Sequence, residues 1–221
     1  MTETEPSTRR LRADAARNHE RLLRCARDLF VERGADVPLD EIAKRAGVGI
    51  GTLYRRFPDR RSLMRAVVLE ALTRTKDTAE RVLAEEPTGF AALVHYMHAV
   101  LDVRISAVIP VLLDQIDMDD AELAPAREAS ARAVERIIDA AHADRSLSEA
   151  ITFGDVGTLL VRLSRPLPGP IPAELNNQLA HRHLDLLIAG LRPFRDSALD
   201  DVSGPALARS DLRRLRDQAD G

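Results

Sequence analysis

Between residues 37 and 63 the apolar and polar positions follow the period of two short helices joined by a turn. Leu39, Ile42, Ala43 and Ala46 fall at i, i+3, i+4 and i+7, and Asp40, Glu41, Lys44 and Arg45 fill the opposite face. Gly47 follows at once, where a left-handed backbone ends a helix at least cost. Val48 is placed to plug the space between the two helices. Gly49 to Phe57 reads as the second helix, with Leu53 and Phe57 inward, Ile50 leading in, and Thr52, Tyr54, Arg55 and Arg56 outward. Pro58 stops it, and Asp59 caps the next helix.

The same period continues through the rest of the chain. A long helix is expected over Arg60–Glu85, with Leu63, Val67, Ala71 and Val82 inside. Phe90, Leu93, Val94, Met97, Val100, Leu101 and Ile105 predict the next, with Pro110 interrupting the path. Val111, Leu112 and Ile116 suggest a short helix ending near Asp117. Further helices are expected over Asp119–Asp144, Asp155–Leu167 and Ala173–Leu191. The prolines and glycine of 166–172 form a stiff linker between the last two. The expected organisation is a basic arm over 1–12, a three-helix unit over 13–59, a helical body over 60–194, and a polar, mostly disordered tail over 195–221. The fold class is all-α, with an N-terminal three-helix unit and a larger helical domain after it.

A short helix, a glycine turn, a second helix and a capped third are the layout of a helix-turn-helix, which lays its second helix in a DNA major groove. The outward chemistry agrees. Thr52 and Tyr54 offer hydroxyls to phosphates, and Arg55 and Arg56 suit phosphates or guanine edges. Arg60 and Arg61 stand where a helix N-terminus adds free N–H groups toward a phosphate. Lys44 is a further cationic candidate. Arg9, Arg10 and Arg12 precede the expected first helix and form an arm suited to the minor groove or backbone.

The run Arg21-Leu22-Leu23-Arg24-Cys25-Ala26-Arg27-Asp28-Leu29-Phe30 with Gly34, then Ile42-Ala43, Ala46-Gly47-Val48, Gly51-Thr52-Leu53-Tyr54-Arg55-Arg56-Phe57-Pro58 and Leu63, resembles the TetR family of bacterial transcriptional regulators. The resemblance spans about residues 17–65. Gly49 and Ile50 stand where the family often has a capping Ser or Thr and a basic residue, and Pro38 where it usually has Ser or Thr. These departures bear on base preference. The resemblance implies a homodimer with a C-terminal ligand-sensing and dimerisation domain, bound as a repressor to a palindromic double-stranded operator and released by a small-molecule effector. By it, the last two helices would pair with their twofold mates through Leu159, Leu160, Leu163, Leu175, Leu179, His183, Leu186 and Leu187. Inward candidates for a ligand pocket are Phe90, Tyr96, Met97, His98, Leu101, Arg104 and Phe153, each of which also suits an ordinary core. Arg104 beside an apolar stripe suits either an acidic effector or a salt bridge.

Charge supports a polar division of labour. Residues 9–62 carry 14 Lys+Arg against 8 Asp+Glu, net +6, while residues 63–221 carry 18 against 25, net −7. A basic head on an acidic body fits a phosphate-binding module on a regulatory domain, and argues against an architectural protein that coats DNA. Nothing reads as an enzyme: there is no phosphate loop, no Gly-x-Ser-x-Gly and no dinucleotide fingerprint. No metal site or cofactor is expected. His95 and His98 share a helix face without further ligands, and His181 and His183 point apart. The single Cys25 sits in the first helix as small filler, and excludes an internal disulfide. No apolar run approaches about 18 residues and the first residues carry no hydrophobic stretch, so the expected location is cytoplasmic.

Overall fold

The computed structural model describes residues 5–102, 104–191, 207–211 and 214. Among them every regular element is helical: α1 (Glu5–Arg33), α2 (Leu39–Arg45), α3 (Ile50–Arg56), α4 (Arg60–Glu85), α5 (Gly89–Asp102), α6 (Ile105–Leu112), α7 (Leu123–Ala143), α8 (Phe153–Ser164) and α9 (Ala173–Leu191), with a 3-10 turn over Leu113–Gln115 after α6.

The turn between α2 and α3 has the hydrogen bonds its glycine implies. Gly47 adopts φ +65°, its N–H donates to Lys44 O at 3.1 Å, and Val48 N–H donates to Ala43 O at 3.0 Å. This Schellman pairing ends α2 and satisfies carbonyls that a helix end leaves open. Asp59 caps α4 as expected: its carboxylate accepts from Ser62 N–H at 2.7 Å. A 26-residue α4 then runs from the three-helix unit α1–α3, the candidate DNA reader, into the helical body.

Leu22, Leu23, Ala26 and Phe30 of α1, Ile42 and Ala43 of α2, Leu53 of α3, and Leu63, Met64 and Val67 of α4 are all buried in one cluster. That cluster continues without a break through Ala71, Val82, Val100 and Ile137. In the body α4 packs against α7, α5 and α6, α8 lies on α5 and α6, and α9 lies on α5 and α8. Burial of this kind contributes roughly 25 cal/mol per Å² of apolar surface, and it carries most helix stability in a chain with so few aromatics.

Several boundaries differ from the expectation. α1 begins at Glu5, so Arg9, Arg10 and Arg12 stand within a helix rather than ahead of one. The α5 stripe does not run on to Ile105. It breaks beside Arg104, whose left-handed backbone (φ +48°) redirects the chain into α6. Pro110 lies inside α6 and does not end it. α7 starts at Leu123 rather than Asp119, because Asp117 and Asp120 carboxylates take the N–H groups of Asp119, Glu122 and Leu123 into turns. α8 starts two residues early: the Asp155 carboxylate accepts both the N–H and the hydroxyl of Thr152 at 2.8 Å. The tail was expected to be mostly disordered, yet residues 207–211 lie against α7 and α8.

Candidate nucleic-acid interface and regulatory cavity

α3 is anchored by two side chains and otherwise presented outward. Leu53 and Phe57 are buried, while Ile50, Gly51, Thr52, Tyr54, Arg55 and Arg56 are exposed. His19 of α1 stacks on the Phe57 ring at 5.9 Å between centroids. Burial, and then the Arg56 charge, hold the His19 imidazole below its ordinary value, so it favours the neutral form. A neutral aromatic platform there fixes the end of α3 against α1.

The cations around α3 divide by what already holds them. Lys44, Arg55 and Arg61 are exposed and make no ion pair among the described residues. They are available to phosphates or base edges. Arg60 is not. Its Nη1 donates to Ala35 O at 2.9 Å and Val37 O at 2.6 Å, which staples the first turn of α4 to the α1–α2 connection. Its Nη1 is thereby committed to positioning α4. The side chains of Arg9, Arg10 and Arg12 lie outside the described residues.

A cavity of about 230 Å³, partly open to solvent, is lined by residues of α4, α5, α6, α7 and α8. Leu72 and Thr75 come from α4, Tyr96 from α5, Ser106, Ile109 and Pro110 from α6, Arg127, Ser130, Ala131 and Val134 from α7, and Phe153, Val156, Gly157, Leu160 and Val161 from α8. The lining is apolar with a few hydroxyls. Arg127 is its one charged side chain among the described residues, and its Nη2 is paired with Asp119 at 2.7 Å. Burial pushes the Tyr96 phenol well above its ordinary value, so it stays protonated.

The family model of bacterial regulatory proteins of the tetR family matches residues 22–67. An HTH-type transcriptional regulator of Staphylococcus aureus (strain USA300) is 41% identical over 59 residues, which make up 26% of this chain and 32% of that protein. The chain thus matches about a third of that curated relative's length. The crystal structure of a TetR transcription regulatory protein from Mycobacterium vanbaalenii is 30% identical over 82% of this chain and 99% of that one, with a TM-score of 0.58. The chain belongs to the TetR family. The TetR-like regulator LfrR from Mycobacterium smegmatis, solved in complex with proflavine, has the same fold at 20% identity, covering 78% of this chain and 96% of that one with a TM-score of 0.57.

In this TetR-family chain the expected pocket residues are only partly brought together. Tyr96 and Phe153 line the cavity. Met97 and Leu101 are buried in the core, and Phe90 packs at its edge with its N–H on Ser146 Oγ at 3.1 Å. His98 faces α9, where its Nδ1 meets His181 Nδ1 at 2.8 Å, and Asp185 and Asp102 take the two Nε2 atoms at 3.2 and 2.8 Å. Arg104 sits at the α5–α6 corner and pairs with Glu32 at 3.5 Å; the same carboxylate holds Arg45 of α2 at 2.7 Å. The buried residues of α5, Gly89, Ala92, Leu93, Tyr96, Met97, Val100 and Leu101, form one stripe that packs into the core, and of these Tyr96 reaches the cavity, so the apolar period alone does not single out the cavity side.

The residues expected to pair with a second subunit differ in exposure within this one. Leu160 is buried and lines the cavity, so it is not available to a second subunit. Leu159, Leu163 and Leu179 are half-buried, and His183 is exposed. Leu175, Leu186 and Leu187 are 44, 59 and 40% exposed, whereas Leu184 and Ile188 turn inward. One residue was missed altogether. Arg27 is 2% exposed and its Nη1 meets Glu70 of α4 at 2.8 Å. Its signal was present, since Arg27 interrupts the apolar stripe of Leu23, Ala26 and Phe30.

Proposed function

We propose that the protein is a homodimeric, non-enzymatic repressor that binds a palindromic operator and leaves it when a small molecule fills the cavity. Each α3 enters a major groove, with Thr52, Arg55 and Arg56 toward bases and Tyr54, Lys44 and Arg61 toward phosphates. Two subunits pair through α8 and α9, around Leu175, Leu186 and Leu187.

The observation that carries this reading is that one rigid helix serves both sites. Leu72 and Thr75 of α4 line the cavity, and Arg60, in the first turn of the same helix, is stapled to the reader. Leu72 is about 18 Å along the axis from Arg60 at 1.5 Å per residue. A ligand wedged between α4 and α7 tilts α4, and Arg60 carries that tilt into the α1–α2 connection. Two readers must stay about 34–36 Å apart to occupy successive major grooves, so a small tilt in each subunit disfavours the complex. LfrR, of the same fold, is a precedent for a bound small molecule.

The test uses Gly157, which lines the cavity and where an added Cβ meets nothing within 4 Å. Gly157→Leu is chosen to narrow the cavity, its first side-chain carbon meeting no neighbour. A compound that releases wild-type protein from its own upstream DNA should fail to release Gly157→Leu, while both bind that DNA equally well in its absence. Equal release of both proteins would overturn the cavity as the effector site.

A further inference from the structure

Residues 207–211 make a compact set of contacts on the outside of the cavity. On the α8 side, Leu207 O accepts from Gly154 N–H and from the Thr152 hydroxyl, each at 3.0 Å. The fit depends on glycine, because a Cβ at residue 154 would lie 2.1 Å from Leu207 O. On the α7 side, Arg209 reaches Glu128 at 2.7 Å and Glu135 at 2.9 Å. The segment is ordered within itself: Asp211 carboxylate accepts from Ala208 N–H at 2.9 Å, and Asp211 N–H donates to Ala208 O at 3.0 Å.

The positions of these contacts relate the segment to the cavity. Glu128, Ala131 and Glu135 lie on one stripe of α7 at i, i+3 and i+7, so a guanidinium held by both glutamates crosses above Ala131. Ala131 lines the cavity. Gly154, Gly157 and Val161 form the matching stripe of α8, and Gly157 and Val161 also line it. Leu207 to Arg209 therefore spans the seam between α7 and α8 at the cavity's outer edge.

We propose that residues 207–211 are a strap that closes this seam and controls passage of ligand into and out of the chamber. The inference rests on the cavity being the effector chamber. Arg209 is the latch on α7, and Gly154 is the receiving notch on α8. Breaking either end frees the other, because one three-residue span carries both.

The probe is 8-anilinonaphthalene-1-sulfonate, an aromatic anion that fluoresces when removed from water and suits a mostly apolar lining that includes Arg127. Stopped-flow binding and dissociation are measured on the full chain and on Arg209→Glu, which sets a carboxylate against Glu128 and Glu135, and on Gly154→Val, which occupies the notch. Gly157→Leu subtracts dye bound elsewhere. Both strap variants should exchange cavity-bound dye at least tenfold faster than wild type, and Arg209→Glu combined with Glu128→Arg and Glu135→Arg should return toward the wild-type rate. Dye that enters the variants but not the wild type also supports the strap. Cavity-bound dye with the same rates in all proteins overturns the strap and leaves the chamber standing. No cavity-bound dye in any of them overturns the chamber, and the strap with it.

Discussion

Replacing Arg27 by Met should destabilise the fold by about 3 kcal/mol. Arg27 is 2% exposed, and its ion pair with Glu70 at 2.8 Å joins α1 of the reader to α4 of the body. Removing one partner of a buried pair costs roughly 3–5 kcal/mol, because the other is left buried and unmatched. Glu70 is 16% exposed and retains Arg74 one turn away, which places the loss at the lower end. For a chain of this size about 3 kcal/mol lowers Tm by roughly 6–12 °C. Met has similar reach and no charge, so packing against Leu23 and Phe30 is largely kept. Glu70→Leu in the same chain removes the unmatched carboxylate, and the double variant should recover most of the loss. The assay is urea and thermal unfolding followed by circular dichroism for the wild type, both single variants and the double. A single variant within about 1 kcal/mol of wild type, or a double variant equal to the sum of the two singles, would refute a coupled pair.

The same geometry sets three further outcomes. Burial holds the Asp28 carboxyl above its ordinary 3.8 despite the charges of Arg27, Arg104 and Arg45, so the unfolded chain loses this proton first as pH rises. Wild-type stability is thus reduced above pH 3.8; Asp28→Asn should be more stable near neutrality, with the gain vanishing as pH falls below 3.8, and a gain that persists in acid would contradict the assignment. Arg61→Ala should weaken DNA binding and reduce the salt slope by about one without changing Tm, whereas Arg60→Ala should cost about 2 kcal/mol of stability through its two lost carbonyl bonds; calorimetry beside DNA titration separates them. Leu186→Lys with Leu187→Lys should give a folded monomer by light scattering, since both side chains are exposed within the subunit, and a dimer that survives would move the pairing surface elsewhere.

How much was legible in the sequence varied with how local the signal is. The α2–turn–α3 unit was readable because Gly47, Pro58 and Asp59 act through their own backbone. Leu53 and Phe57 bury as their spacing demands. The start of α7 was misplaced because Asp117 and Asp120 compete for backbone N–H groups, a choice settled by side-chain geometry rather than by period. The break beside Arg104 has no such mark, since a non-glycine residue adopts a left-handed backbone there. Arg60 and Arg61 are adjacent and chemically identical, yet one is consumed by the Ala35 and Val37 carbonyls 25 and 23 residues away. Leu160 and Leu159 likewise differ only in which neighbour packs across from them. Pairings at that distance, like Arg27 with Glu70 or Leu207 with Gly154, are properties of the folded chain and leave no period to read.

In the proposed function the exposed face of α3 reads a specific DNA sequence. Fluorescence anisotropy of the purified protein on its own upstream DNA and on a scrambled duplex, across about 50–200 mM salt, tests it most directly. The expected result is preference for the upstream fragment, a steep loss of affinity with salt, and loss of that preference in Tyr54→Ala with Arg55→Ala at unchanged Tm. Equal affinity of wild type and variant for the upstream fragment would contradict it.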